Sequence, residues 1–309
     1  MYEIKLPENC SSNCFDSSIY SLLKYNGLEY EAYNIKYFYT DYYESYLDDS
    51  KYFIGRRNSD EDYLKSLFNV NLSFKDITES EDLLKIVCDS LSENPIGIVI
   101  DPYYCHWSPF YNKTHYSHVF LIVDVDYINK KYKCFDVHFN DVGYVDFDFD
   151  ILNSKAKKYF FADFKNKSDI NLESMINKLL SSLDCFDSDL IAKKSKMISS
   201  FTKNDKDVLF SETLETSISL INLMWIAEDK KHFPFALKYI ENKIKKAVFS
   251  SIYELLKNSE RDFLLLKSLL TKYAVTGVLK EAKIESIVTQ IYEADALIVK
   301  EMKKILKGL

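Results

Sequence analysis

Behind Cys14-Phe15-Asp16-Ser17, apolar residues fall at Ile19, Leu22 and Leu23. That i, i+3, i+4 spacing is one buried face of a helix, and Gly27 supplies its stop. Further along, the β-branched and aromatic run His118-Val119-Phe120-Leu121-Ile122-Val123 is separated from Tyr132-Lys133-Cys134-Phe135-Asp136-Val137 by a polar Asn129-Lys130-Lys131 turn. The pattern predicts a β-hairpin in which His118 begins one strand and Asp136 ends its partner. After Asp169 the period changes. Leu172, Met175, Ile176, Leu179 and Leu180 form one helical face, and further helices are expected over about 211–227, 235–256, 260–273 and 280–306. Pro234 and Gly277 are read as breaks between helices. Leu220, Leu223, Met224 and Trp225 are expected to be core.

These patterns predict an α+β domain over residues 1–165 and an all-α helical domain over 166–309. Charge follows the same division. Residues 1–163 carry 16 basic and 27 acidic side chains, and residues 164–309 carry 24 and 20. The chain has 309 residues, 47% apolar and 28% charged, which is ordinary globular composition and excludes disordered or collagen-like classes. Six irregularly spaced cysteines do not read as a disulfide framework and fit a reducing cytoplasm. The first residues show no apolar leader, and no window reaches the roughly 18 uninterrupted apolar residues of a membrane span. An acidic chain without nucleic-acid motifs makes DNA or RNA a poor partner.

The candidate chemistry begins at Cys14. A thiol on the first turn of a helix sits among unpaired N–H groups at the positive end of the dipole, where its reactive thiolate is favoured. The same N–H groups suit the oxyanion formed when sulfur attacks a carbonyl. The alternative is a cysteine that packs as a small hydrophobe. Antiparallel pairing of the hairpin brings His118 beside Asp136 despite 18 intervening positions. His118 would then take and return protons, and Asp136 would fix the imidazole tautomer. Cys10 and Cys14 with His115 and His118 also have the residue types of a zinc site, but no matched second pair accompanies them and no metal is expected.

In order and spacing, Cys14 through Tyr25 to Gly27, followed by the His118 to Asp136 segment, resembles the bacteriocin-processing cysteine peptidases of the papain-like superfamily. A second set of residues resembles the amino-terminal domain of the butirosin-biosynthesis acyltransferase family. That set runs Pro95-Ile96-Gly97-Ile98-Val99-Ile100-Asp101-Pro102-Tyr103-Tyr104, then Trp107-Ser108-Pro109, Tyr111, His115 and His118, with Val123-Asp124-Val125-Asp126 where the family tends to have Gly-Tyr-Asp. The resemblance covers about the first half of the chain. It implies a papain-like cysteine protease/acyltransferase fold followed by a helical domain, with Cys14, His118 and Asp136 as the catalytic triad.

The activity so implied is ATP-independent amide synthesis in thiotemplated natural-product biosynthesis. An acyl group would pass from the phosphopantetheine thioester of an acyl or peptidyl carrier protein, through acyl-Cys14, to an amine, with no cofactor. The cysteine-protease-like amide synthases of closthioamide-type pathways, which would use a diamine, are a narrower match. Peptide hydrolysis by the same triad is the alternative, although such peptidases are commonly fused to a membrane transporter. A binding scaffold with an inert triad is a third reading. Asp101, Tyr104, Trp107 and His115 are the implied substrate-binding residues, Asp101 for a cationic amine, while His115 has a competing reading as a support for the loop entering the His118 strand. Papain-like enzymes carry a glutamine six residues before the nucleophile. Here that position is Glu8, so Asn9, then Asn13, are the candidate side-chain donors to the oxyanion. Lys243, Lys245 and Lys246 are read as a landing patch for an acidic carrier protein, or as a solvated helix face.

Overall fold

The computed structural model describes residues 2–5, 13–38, 60–78, 82–113, 115–137, 143–186, 198, 201 and 218–309. The chain is mixed α/β, with one antiparallel sheet and a set of carboxy-terminal helices, consistent with the α+β class. It divides into two compact units, residues 1–30 with 61–169, and residues 31–60 with 170–309. The second unit thus takes in 31–60, a segment that the sequence analysis grouped with the first.

The first unit is built on six strands: β1 (Asn71–Asp76), β2 (Ile96–Ile100), β3 (His118–Asp126), β4 (Lys131–Asp136), β5 (Gly143–Asp148) and β6 (Lys158–Asp163). Their order is β1-β6-β2-β3-β4-β5, with every neighbouring pair antiparallel. Its helices are α1 (Cys14–Tyr25), α2 (Leu83–Leu91) and α3 (Phe149–Lys155). Strand alternation separates two faces. Ile96, Ile98, Ile100, Phe120, Ile122, Cys134 and Tyr159 join Leu83 and Val87 of α2 and Leu152 of α3 in one buried cluster. Phe160, of opposite parity to Tyr159, meets Phe15 of α1 at 5.3 Å and Phe74 at 5.4 Å between ring centroids.

Gly97 makes that second contact possible. It is the cross-strand partner of Phe160, and the ring lies so close that a Cβ added at 97 would sit 2.1 Å from it. The aromatic side chain covers a position that carries none, which fixes the ring against α1.

The helical half of the second unit comprises α4 (Leu172–Phe186), α5 (Ile218–Ile244), α6 (Ser250–Thr276) and α7 (Glu281–Leu306). Met175, Leu179, Leu220 and Leu223 are buried as expected, whereas Met224 and Trp225 are half-buried. Expected helical residues 211–217 lie outside the described residues. Gly277 ends α6 in the left-handed conformation, at φ 70°, its N–H donating to the Tyr273 carbonyl, as the reading of a break there requires.

Pro234 is different, for α5 runs straight through it. Proline removes one helical hydrogen bond, but Phe233, Ala236, Leu237 and Ile240 around it are all buried, and that packing carries the helix across. The real break falls at 245–249. Lys245 takes φ 54°, and Glu241 accepts from the N–H groups of Val248 and Phe249, both at 2.7 Å, and from the Tyr253 hydroxyl at 2.7 Å. One carboxylate thereby satisfies donors that the start of α6 would otherwise leave open. No helix of the described residues is long and apolar enough to cross a membrane.

Candidate active site

Asn13 sets the start of α1. Its backbone is extended, and its side-chain oxygen accepts from the Asp16 N–H at 2.8 Å while its amide donates to the Asp16 carboxylate. This is the geometry that makes asparagine a favoured N-cap. The side chain thereby caps the helix that carries Cys14. The Ser17 N–H reaches the Asn13 carbonyl at 3.0 Å. The N–H groups of Cys14 and Phe15 precede the first intrahelical bond and donate to no group among the described residues. Cys14 is thus the first helical residue, half-buried, beside two open backbone donors. Asn9, Glu8 and Cys10 lie outside the described residues.

The hairpin places the other two groups. In β3 and β4, Leu121 pairs with Phe135, so Asp136 stands opposite Phe120 and His118 is its diagonal neighbour on the same face. His118 Nε2 lies 2.6 Å from Asp136 Oδ2, and both side chains are almost wholly buried. A carboxylate only accepts, so the proton on that bond belongs to Nε2. Cys14 lies near enough to act on the imidazole electrostatically, although Nδ1 makes no hydrogen bond to its sulfur. With Nε2 taken by Asp136, Nδ1 is the nitrogen left to face a thiol proton. Burial pushes the His118 imidazole down, but the hydrogen bond to Asp136, with the nearby Cys14 thiol and the charges of both, overrides it and raises the group to about 9. The arrangement therefore favours a charged imidazolium held between sulfur and carboxylate.

Trp107 completes this cluster. Its indole Nε1 donates to Asp136 Oδ2 at 2.7 Å, the same oxygen that takes His118. The ring is wedged edge-on between Phe120 at 5.6 Å and Phe147 at 5.3 Å. Trp107 thus holds the carboxylate and extends the core. Nothing in an isolated Trp-Ser-Pro signals such a bond; only the fold brings 107 within reach of 136.

Asp101 is likewise engaged internally. One oxygen accepts from the Tyr103 N–H at 3.0 Å, and the other lies 2.7 Å from His115 Nδ1. The Tyr116 N–H lies near enough to add to this stabilisation. Burial opposes ionisation of Asp101, but these donors and the His115 charge hold it below the usual carboxylate range. His115 also stacks on Tyr103, with ring centroids 4.3 Å apart. Asp101 and His115 together clasp the loop leading to β3.

Tyr104 lines an open cleft of about 300 Å³ with Tyr103, Tyr111, Asn112, Asp150 and Lys155. Lys155 Nζ lies 5.1 Å from the Tyr104 ring centroid. Two of the other described thiols are buried and held protonated. Burial, then neighbouring carboxylates, push Cys105 far up, and burial does the same to Cys134; a thiol kept protonated is inert. Cys88 contacts the Tyr127 hydroxyl at 2.8 Å. Among the described residues no group of three or more histidine, cysteine or acidic side chains is placed to hold a metal ion. No protein-family model matches the chain. A search of curated proteins finds no significant match.

Proposed function

We propose that the first unit is a papain-like cysteine acyltransferase, an ATP-independent amide synthase that works through an acyl-Cys14 intermediate. The observation that carries this reading is the buried, hydrogen-bonded His118–Asp136 pair lying close to a cysteine on the first turn of a helix. Transfer is favoured over hydrolysis by the resemblance of residues 95–118 to the butirosin-biosynthesis acyltransferases. The donor is then the phosphopantetheine thioester of a carrier protein and the acceptor an amine.

The chemistry follows from the arrangement. The Cys14 thiol gives its proton to His118 Nδ1, and the sulfur attacks the thioester carbonyl. The tetrahedral oxyanion forms beside the open N–H groups of Cys14 and Phe15. Its collapse breaks the bond to the pantetheine sulfur, which leaves with the proton from His118. The amine then attacks the acyl-Cys14 carbonyl, His118 takes the amine proton, and collapse breaks the bond to Cys14 and releases the amide. That proton returns to sulfur or solvent. Cleavage of the thioester supplies the driving force. Asp136 stays ionised throughout, holding Nε2–H and stabilising the imidazolium.

Intact-protein mass spectrometry with a panel of acyl-phosphopantetheine thioesters tests the reading. An acyl mass on wild type that is discharged as amide when a diamine is added supports transfer. Discharge to free acid at the same rate with and without amine, together with cleavage of a peptide library, would make the protein a peptidase.

A further inference from the structure

An asparagine at the start of a helix can accept from the N–H of either the second or the third helical residue. Asn13 takes the third. Its Oδ1 lies 2.8 Å from the Asp16 nitrogen, so the N–H groups of Cys14 and Phe15, the first and second residues of α1, stay open among the described residues. The Asp16 side chain holds the cap in that choice. Asn13 Nδ2 donates to Asp16 Oδ2, and Asp16 is only 1% exposed, which makes its carboxylate a buried acceptor two residues after the nucleophile.

This bond gives the cap a direction. A carboxylate only accepts and a backbone N–H only donates. With the amide turned over, Nδ2 would face the Asp16 N–H and Oδ1 the Asp16 carboxylate, two repulsive contacts. With the side chain swung toward the Phe15 N–H instead, the buried carboxylate would lose this donor, which the protein interior penalises. The pair therefore caps α1 while steering the asparagine oxygen away from its second residue.

We propose that Asp16 is a positioning residue for the reaction at Cys14: it turns the Asn13 amide to the third N–H of the helix and thereby keeps the Phe15 N–H, with that of Cys14, open for the oxyanion. This rests on the acyl-Cys14 reading above and adds no second site.

The test compares two reactions of the same sulfur. p-Nitrophenyl acetate acylates the thiol through a tetrahedral oxyanion: the carbon–sulfur bond forms, the bond to p-nitrophenolate breaks, and the thiol proton passes by way of His118 to solvent. Iodoacetamide alkylates the thiol by direct displacement of iodide, with no oxyanion. Asp16→Ala releases Asn13 to take the Phe15 N–H. The expected result is a p-nitrophenolate burst rate lower by about 100-fold, as for the loss of one oxyanion donor, with alkylation of Cys14 within about threefold of wild type. Adding Asn13→Gly to that variant removes the blocking side chain while glycine still serves as an N-cap, and should raise the burst about tenfold or more above Asp16→Ala. A merely structural role for Asp16 predicts the reverse, since the second substitution would only weaken the helix further. An unchanged burst in Asp16→Ala, a parallel fall in both reactions, or no recovery in the double variant would overturn the inference. Should Asp16→Ala not fold, Asn13→Gly alone decides. A burst within about threefold of wild type is expected, and a fall of about 100-fold would place the Asn13 amide itself at the oxyanion and overturn the inference. In each of these cases the wild-type burst leaves the acyl-Cys14 reading intact. A wild type that alkylates at Cys14 but gives no burst would remove that reading and this inference with it.

Discussion

Asp136→Asn separates charge from shape at the site. Asparagine retains an oxygen to accept from His118 Nε2 and Trp107 Nε1, but loses the negative charge. The imidazole is raised from 6.5 to about 9, and a difference of that size corresponds to roughly 3 kcal/mol of folding stability. Because the folded-state value lies above the unfolded one, this contribution is complete below about pH 6.5 and is lost as pH rises through 9. In the variant, burial pulls the imidazole back down and the contribution shrinks. Urea unfolding of both proteins at pH 6 and pH 9.5 reads this directly. Asp136→Asn should cost about 2–3 kcal/mol at pH 6 and little at pH 9.5, while the acylation rate at pH 7 falls on the order of 10³-fold. An equal stability loss at both pH values would refute the reasoning, since the carboxylate would then be supporting the fold without supporting a charged His118.

Trp107→Phe should slow acylation about tenfold and leave the fold in place, because a hydrogen bond to a charged group is worth about 1.5–3 kcal/mol and phenylalanine keeps much of the ring contact with Phe120 and Phe147; stopped-flow measurement of the p-nitrophenyl acetate burst checks it, and an unchanged rate would return Trp107 to a packing role. Gly97→Ala drives a Cβ into the Phe160 ring and should cost on the order of 1–3 kcal/mol. A thermal melt matching wild type would show that the ring is free to move.

The helix at Cys14 and the hairpin from His118 to Asp136 were legible because each follows from a local period. The bridge from 118 to 136 was legible too, since antiparallel register links the start of one strand to the end of the next. The internal bonds of Trp107 and Asp101 were not legible for a common reason. Both sit in a loop whose side chains reach groups distant in sequence: Asp136 for Trp107, and His115 for Asp101. A polar residue at the end of a strand reads as a ligand contact until its internal partner is seen. The helical half shows the converse. Pro234 is a local signal overridden by burial, whereas the break at Lys245 carries no glycine or proline and is held by the remote carboxylate of Glu241.

The central claim is that Cys14, activated by His118, forms the covalent intermediate. Peptide mapping by mass spectrometry after a brief exposure to an acyl thioester tests it most directly. The account predicts a single acyl adduct on Cys14 in wild type, absent from Cys14→Ala and suppressed at least about 100-fold in His118→Ala. An adduct on another cysteine, or one that forms on Cys14 equally fast without His118, would contradict it.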